Sequence, residues 1–355
     1  MTLSAQNTTS ATVEAKANAE SGKTGVGVSV GLNIAVNNDT LARIENGATI
    51  NGGANVSLSA EGSHVVNTTA IGGGKSTGAT GIGGAVAITV ADNVTEASVG
   101  TGTKLDITGA FKAEADHHGK SETVAKAAAA GTSTAVGVAL ALGFVDDSAL
   151  ATTTRDIAAN GAVSFSAKGD GSSKSEAIAS SAGADKAKEE AKGNKTADDQ
   201  SKSATGLANK QGGGGKSTTK SASTDGSGGD SSVSGGAALA LNVASSDAEA
   251  SIGVGRTIVA GDGAGTGALS LHAENNMDAS AIADGSASGG KGATSVGIGV
   301  ALNIAFMENT ATVGAGSTVT ADGFKAEALM KDVGGDKTHT FAAKAVSGAS
   351  GGDTG

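Results

Sequence analysis

Residues 24–40 read TGVGVSVGLNIAVNNDT, and large apolar side chains occupy every second position: Val26, Val28, Val30, Leu32, Ile34 and Val36. Between them stand only Gly25, Gly27, Ser29, Gly31, Asn33 and Ala35. A period of two marks a β-strand whose faces differ in kind. The pattern returns at 80–91 (TGIGGAVAITVA), 135–144 (AVGVALALGF), 233–243 (VSGGAALALNV) and 296–306 (VGIGVALNIAF), each time with small or polar residues in between. A polar stretch follows each copy (NNDT, ADNVT, DDS, SSD, MEN) and reads as a turn.

A second marker, one large apolar residue, any residue, then Ala, falls at Leu3, Leu58, Phe111, Phe165, Leu271 and Phe324, with spacings of 55, 53, 54, 106 and 53. Repeats of this length cannot bury a face alone and must stack on their neighbours. Strand and turn recurring with no helix-period segment predict an all-β chain: a parallel β-solenoid of ~53-residue repeats. Equivalent residues then form ladders about 4.8 Å apart. The expected ladders are Leu3-Leu58-Phe111-Phe165-Leu271-Phe324 and Leu32-Ile88-Leu142-Leu241-Leu302, and Asn33, Asn242 and Asn303 share one position with Thr89 and Gly143. Those Asn either form an internal amide ladder or face water. The Val, Leu and Ile face is expected to line the core, and the Gly, Ala and Ser face to admit another sheet or chain at close range. Each repeat is one wide flattened coil or two to three narrow ones. Stacked antiparallel hairpins with tips at GGGKSTG and SGGKGAT are the rival arrangement.

The composition suits this reading. Of 355 residues, 58 are Gly, six are Phe, and none is Pro, Cys, Trp or Tyr, so the interior must be thin. A net charge of −10 argues against a nucleic-acid surface. Without Cys there are no disulfides, thiolate metal sites or cysteine nucleophiles. The most membrane-like run, 127–145, is broken by Gly131, Thr132, Ser133 and Thr134 and then alternates as a strand does. The repeat register begins and ends in mid-repeat, so a piece of a longer array is expected, and the lack of a signal peptide after Met1 then bears on nothing.

Residues 185–225 differ from the rest. Leu207 is their one large apolar side chain, and eight Lys against six Asp or Glu make them slightly basic. Such a stretch forms no core of its own. It is expected to be a Gly/Ser/Lys-rich surface loop between solenoid repeats at 1–184 and 226–355, with one helical turn at 185–192, and either decorates the surface or contacts a ligand.

No residue stands out as catalytic, cofactor-binding or metal-ligating, and no enzyme activity or cofactor is expected. GGGKST at 72–77 and GGGGKS at 212–217 resemble the end of a phosphate-binding loop but have Thr69 and Lys210 where it requires Gly. The calcium-binding nonapeptide of β-rolls is absent, and STDGSGGDSS at 223–232 is unrepeated. His64, His117, His118, His272 and His339 form no ligand pair by spacing, and His117-His118 reads as a solvated turn. Asp146, Asp147, Asp247 and Glu308 are explained as turn caps. Arg43, Arg155 and Arg256 are too few and scattered for a lyase site on a β-helix.

The stretches VSVGLNIAVNNDTLARIENGATINGGANVSLSAEG (28–62) and GIGVALNIAFMENTATVGAGSTVTADGFKAEA (297–328) resemble large bacterial surface adhesins. These are the filamentous-haemagglutinin-like and leukotoxin-type filamentous proteins exported by two-partner or autotransporter secretion. The resemblance covers nearly the whole chain except 185–225. It implies a right-handed β-helix outside the cell, used as a stalk or adhesive fibre; the expected ligand is a host or bacterial surface protein or glycan, and neither nucleic acid nor membrane insertion of this stretch is expected. Self-assembly into a filament or matrix, through the small-residue face, is the alternative expectation.

Overall fold

A computed structural model describes residues 1–50, 54–182, 233–261, 267–289 and 293–350. Every element in it is a strand, and every named strand pairing is parallel. The strands form three sheets. Sheet A stacks β1 (Thr2–Ser21), β3 (Val56–Ser76), β6 (Phe111–Ala130), β9 (Val163–Ala182), β12 (Leu269–Ser288) and, at the end, β15 (Phe324–Met330) and β16 (Phe341–Ser350). Sheet B stacks β2 (Thr24–Ile44), β4 (Thr80–Val99), β7 (Thr134–Thr153), β10 (Val233–Ile252) and β13 (Thr294–Val313). Sheet C holds the short β5 (Leu105–Ile107), β8 (Ile157–Ala159), β11 (Thr257–Ala260) and β14 (Thr318–Thr320). The chain is therefore a parallel β-solenoid with one wide coil per repeat: out along A, back along B, across C. The hairpin tips are where the rival arrangement has them, since β3 turns into β4 over 77–79, but the two arms face each other instead of pairing.

The long strands run 20 or 21 residues, about 65 Å at 3.3 Å per residue. The polar stretches read as turns are not turns: β4, β7, β10 and β13 pass straight through them. Only β2 shows an irregularity there, a bulge between Ala35 and Asn38 in which Asn37 has φ 58°. Asn is among the few non-Gly residues that adopt this conformation readily. Every ladder needs every N–H, which accounts for a chain without Pro.

The second expected ladder lies in register at each step from Leu32 to Leu302. The first slips by two. Leu3 lies over Leu58, but Leu58 meets Ala113, and Phe111 sits over Val56 and Val163; likewise Phe324 meets Leu269. The slip keeps all of them on the inner face, because two residues is one strand period. It staggers Phe111 and Phe165 into neighbouring columns, their rings 5.4 Å apart, instead of stacking two rings in one. The 106-residue interval holds an insertion and not a lost repeat: β9 pairs β12, and β10 pairs both β7 and β13. The expected loop at 185–225 lies outside the described residues, as do 212–217 and 223–232.

The interior is a wedge. Beside sheet C it holds Val56, Leu58, Phe111, Ile157, Phe165, Ile252, Ile258 and Leu271, all fully buried. Toward the tips it narrows to Ala on both sheets, including Ala87, Ala127, Ala141, Ala179, Ala240 and Ala283. Nearest the tips it is backbone against backbone. A Cβ built on Gly72 would land on the carbonyl oxygen of Gly84, on Gly27 that of Gly73, and on Gly285 that of Ile298. Sheets with ordinary side chains between them stay about 10 Å apart; here glycine removes the spacer.

The expected assignment of faces is thus reversed. Gly25, Gly27, Ser29, Gly31 and Asn33 point inward, while Val26 to Val36 point to solvent at 46 to 63 % exposure. The reason is strand phase. β4 ends with Ala97 and Val99 in the large core, and a strand that alternates without interruption must then carry Ile82, Val86, Ile88 and Val90 on the outside. In β2 the bulge restores the same phase. The expectation that small residues let another sheet approach closely holds, the other sheet being sheet A of the same chain.

Candidate functional site: the outer face of sheet B

The tip-side half of sheet B presents five outward columns to water. In register they are Val26-Ile82-Val136-Gly235-Val296, Val28-Gly84-Val138-Ala237-Ile298, Val30-Val86-Leu140-Leu239-Val300, Leu32-Ile88-Leu142-Leu241-Leu302 and Ile34-Val90-Phe144-Val243-Ile304. At about 6.6 Å per column and 4.8 Å per strand this is an apolar footprint of about 800 Å², where monomers usually show patches of about 300–600 Å² at most.

The other half of the same face is acidic. Asp39, Asp92, Glu96, Asp146, Asp247, Glu249 and Glu308 point outward there, and Arg43 is the one cation on this face among the described residues. Asp92 lies directly over Asp146, and Asp247 over Glu308. Burial, then the neighbouring carboxylates, hold Asp92 and Asp247 above the usual range for their type. Arg43 is committed to Glu96 through Nε at 3.0 Å from Oε1 and through Nη2. These carboxylates are a ladder on a strand, not turn caps, with one exception: Asp147 points inward and is buried.

Sheet A has the opposite exterior. From the sheet-C end to mid-strand, Ser57, Ser59, Glu61, Ser63, Lys112, Glu114, Lys168 and Lys174 line its outer side, and nearer the tips its outward positions include Val124, Ile178 and Ile282, which are buried. Asp116, His118 and Asp170 converge there, the kind of donor set that holds a metal ion. The cation in their midst is Lys331, whose Nζ lies 2.7 Å from Asp116 and 2.5 Å from Asp170; His118 Nδ1 lies 2.6 Å from Asp170. The bond to Asp170 raises the His118 pKa against the effect of burial. Lys331 opens the 331–340 excursion between β15 and β16, which Asn276 and Asp278 bind to β12, so this cluster clasps the last coil to β6 and β9.

The interior polar groups are structural. Asn33 donates to Ala11 O and Asn67 O, Asn242 donates to Asn303 Oδ1 at 2.9 Å, and Thr123, Thr89 and Thr68 form a hydroxyl chain, so the Asn position is an internal ladder. His117, expected in a solvated turn, is buried and stacks on His64 with ring centres 5.5 Å apart. Each ring lies beside a Gly of the neighbouring strand, His64 over Gly119 and His117 over Gly62, and only that pairing leaves room. Thr95 Oγ1 is 2.9 Å from His117 Nδ1, and Asp147 Oδ1 is 3.3 Å from Nε2 and accepts from Asn93. Hydroxyl, imidazole and carboxylate stand here in the order of a nucleophilic triad. All are shut off from solvent, at 0, 1 and 2 % exposure, so the contact packs the interior. Burial and then His117 depress the His64 pKa, and neither of its nitrogens finds a hydrogen-bond partner.

Arg155, one of the scattered arginines, is fully buried and fastens three coils: Nε donates to Gly100 O at 2.8 Å, Nη1 to Ala48 O at 2.6 Å, and Nη2 to Thr101 O at 2.7 Å and Glu45 O at 3.1 Å. Nothing in its sequence context, TTTRDIAAN, distinguishes it from a surface arginine. GGGKST at 72–77 lies mostly in β3, with Gly72 and Gly74 inward and Lys75 paired to Glu20 at 2.9 Å. No helix among the described residues is long and apolar enough to cross a membrane.

Compared with known proteins, the chain matches no family model, no curated protein and no solved structure.

Proposed function

We propose that the chain is a stiff structural and binding segment of an extracellular bacterial surface adhesin, a stalk or adhesive fibre. The observation that carries this reading is the continuity of the ladders: sheets A and B each run through all the coils with hydrogen bonds along one axis. Such stacking resists extension because a coil leaves only when its whole row of bonds breaks. The interior is filled by the chain's own side chains, so exchangeable chemistry is left to the outer faces. The polar exterior of sheet A suits a surface held in water, and the resemblance to exported filamentous adhesins points the same way.

Antibody labelling of intact and permeabilised cells of the producing bacterium tests the location. Signal on intact cells is expected; signal only after permeabilisation overturns the reading. Binding to host cells and glycan arrays, with and without residues 185–225, tests the adhesive role and locates it. The alternative of a self-assembling filament is favoured by one observation, the apolar half of sheet B, but through the large-residue face and not the small one.

A further inference from the structure

We infer that two copies of the chain pack face to face through the apolar halves of their B sheets, with solenoid axes parallel. This goes beyond the adhesin reading and does not depend on it. Three observations carry it.

The first is area. About 800 Å² per copy is what each partner of a standard stable interface buries. Nothing among the described residues covers it, and the 185–225 stretch contains Leu207 as its one large apolar side chain. The second is shape. The columns, mostly Val, Leu and Ile, run in register through all the B strands, the surface that packs as an aligned β-sandwich against a copy of itself. The third is charge. Carboxylates border the apolar half on one side only. The opposite border, at the tips, carries Thr24, Thr80, Thr134 and Thr294, with Lys23 in the adjoining turn.

That asymmetry selects the symmetry axis. A two-fold axis along the strands would set one acidic border against the other, a repulsive juxtaposition. A two-fold axis along the solenoid sets each acidic border against the partner's uncharged tip row. Copies then lie parallel, coil beside like coil, with strands antiparallel across the interface. The same border argues against a lipid surface. Membrane-seated faces are rimmed by Lys, Arg, Trp or Tyr, and this one is rimmed by carboxylates in a chain without Trp or Tyr.

The test uses the full chain. Sedimentation equilibrium at micromolar concentrations is expected to give twice the mass of 33.4 kDa. Leu140→Lys with Leu239→Lys, both outside the interior, is expected to give the single mass with unchanged circular dichroism, and a thermal midpoint that no longer depends on protein concentration. Deleting 185–225 is expected to leave the dimer intact. A wild-type monomer, a dimer that survives the double substitution, or a dimer lost with 185–225 overturns the proposal. So does a monomer that floats with phosphatidylcholine–phosphatidylglycerol vesicles, which would assign the face to lipid. Orientation is read by single cysteines, which the chain lacks natively. Val300→Cys is expected to link to itself through a bis-maleimide of about 10 Å, the spacing of packed sheets. Linkage of Val300→Cys only to Val30→Cys, β13 against β2, overturns the parallel arrangement.

Discussion

Sheets A and B turn the same surface toward each other and opposite surfaces toward water. Inside, the tip-side halves of both offer Gly, Ala and Ser; outside, A offers Ser, Lys and Glu from its sheet-C end to mid-strand, while B offers Val, Leu and Ile over its tip-side half. In most sheet proteins the large apolar face is the core and burial drives folding. Here, over the tip-side half of each coil, the fold is held by backbone approach between small residues, and the large apolar residues are left for an external partner. Side-chain size on the inner face sets the fold, and side-chain size on the outer face sets what the molecule meets.

The sharpest way to break this contrast is to exchange the faces. Gly72→Val places its side chain on the carbonyl of Gly84 and forces the sheets apart. A loss of more than about 3 kcal/mol, the upper range for overpacking, is expected in urea denaturation. The next effect is at the wide end of the wedge. Arg155→Ala orphans the carbonyls of Ala48 and Gly100, with an expected loss of about 3 kcal/mol and uncoupling of the first coils, visible as faster amide exchange there.

A smaller effect depends on pH. The His64 pKa is depressed below its ordinary 6.5, so the unfolded chain binds the proton more readily. The stability tied to this group is complete above 6.5 and is lost as pH falls below it toward the folded value. His118, whose pKa is raised, works with the opposite sign: its contribution is present below 6.5 and is lost as pH rises through the folded value. His118 is partly exposed and screened, so His64 is expected to dominate. The thermal midpoint should fall between neutral pH and about pH 5, and His64→Leu should flatten that fall. The smallest change is expected outside: Val30→Ser alters thermal stability of the monomer by less than about 0.5 kcal/mol, as surface substitutions do, although it removes a valine.

The repeats, the all-β character, the parallel stacking and the Leu32–Leu302 ladder were legible because a two-residue period in five copies admits few structures. The slip of Phe111 was not, because two positions on one face are equivalent in the sequence pattern and only ring packing against Phe165 separates them. Asn37 and the run NNDT looked like the end of a strand, yet they are a bulge within one. Reading through the corresponding run ADNVT in β4 would have shown that Ala97 and Val99 share a phase with Gly81 and Gly83. The buried His117 was hidden by polar neighbours, His118 and Lys120, which point the other way along the same strand.

Alternation by itself determined that each strand has two unlike faces and that equal strands stack. It did not determine which face is inside, because a period of two is the same read from either side. Tertiary structure decided that at the wide end, where Val99, Ile252 and the aromatic pair share the core with sheet C and an unbroken strand transmits their phase along its full length.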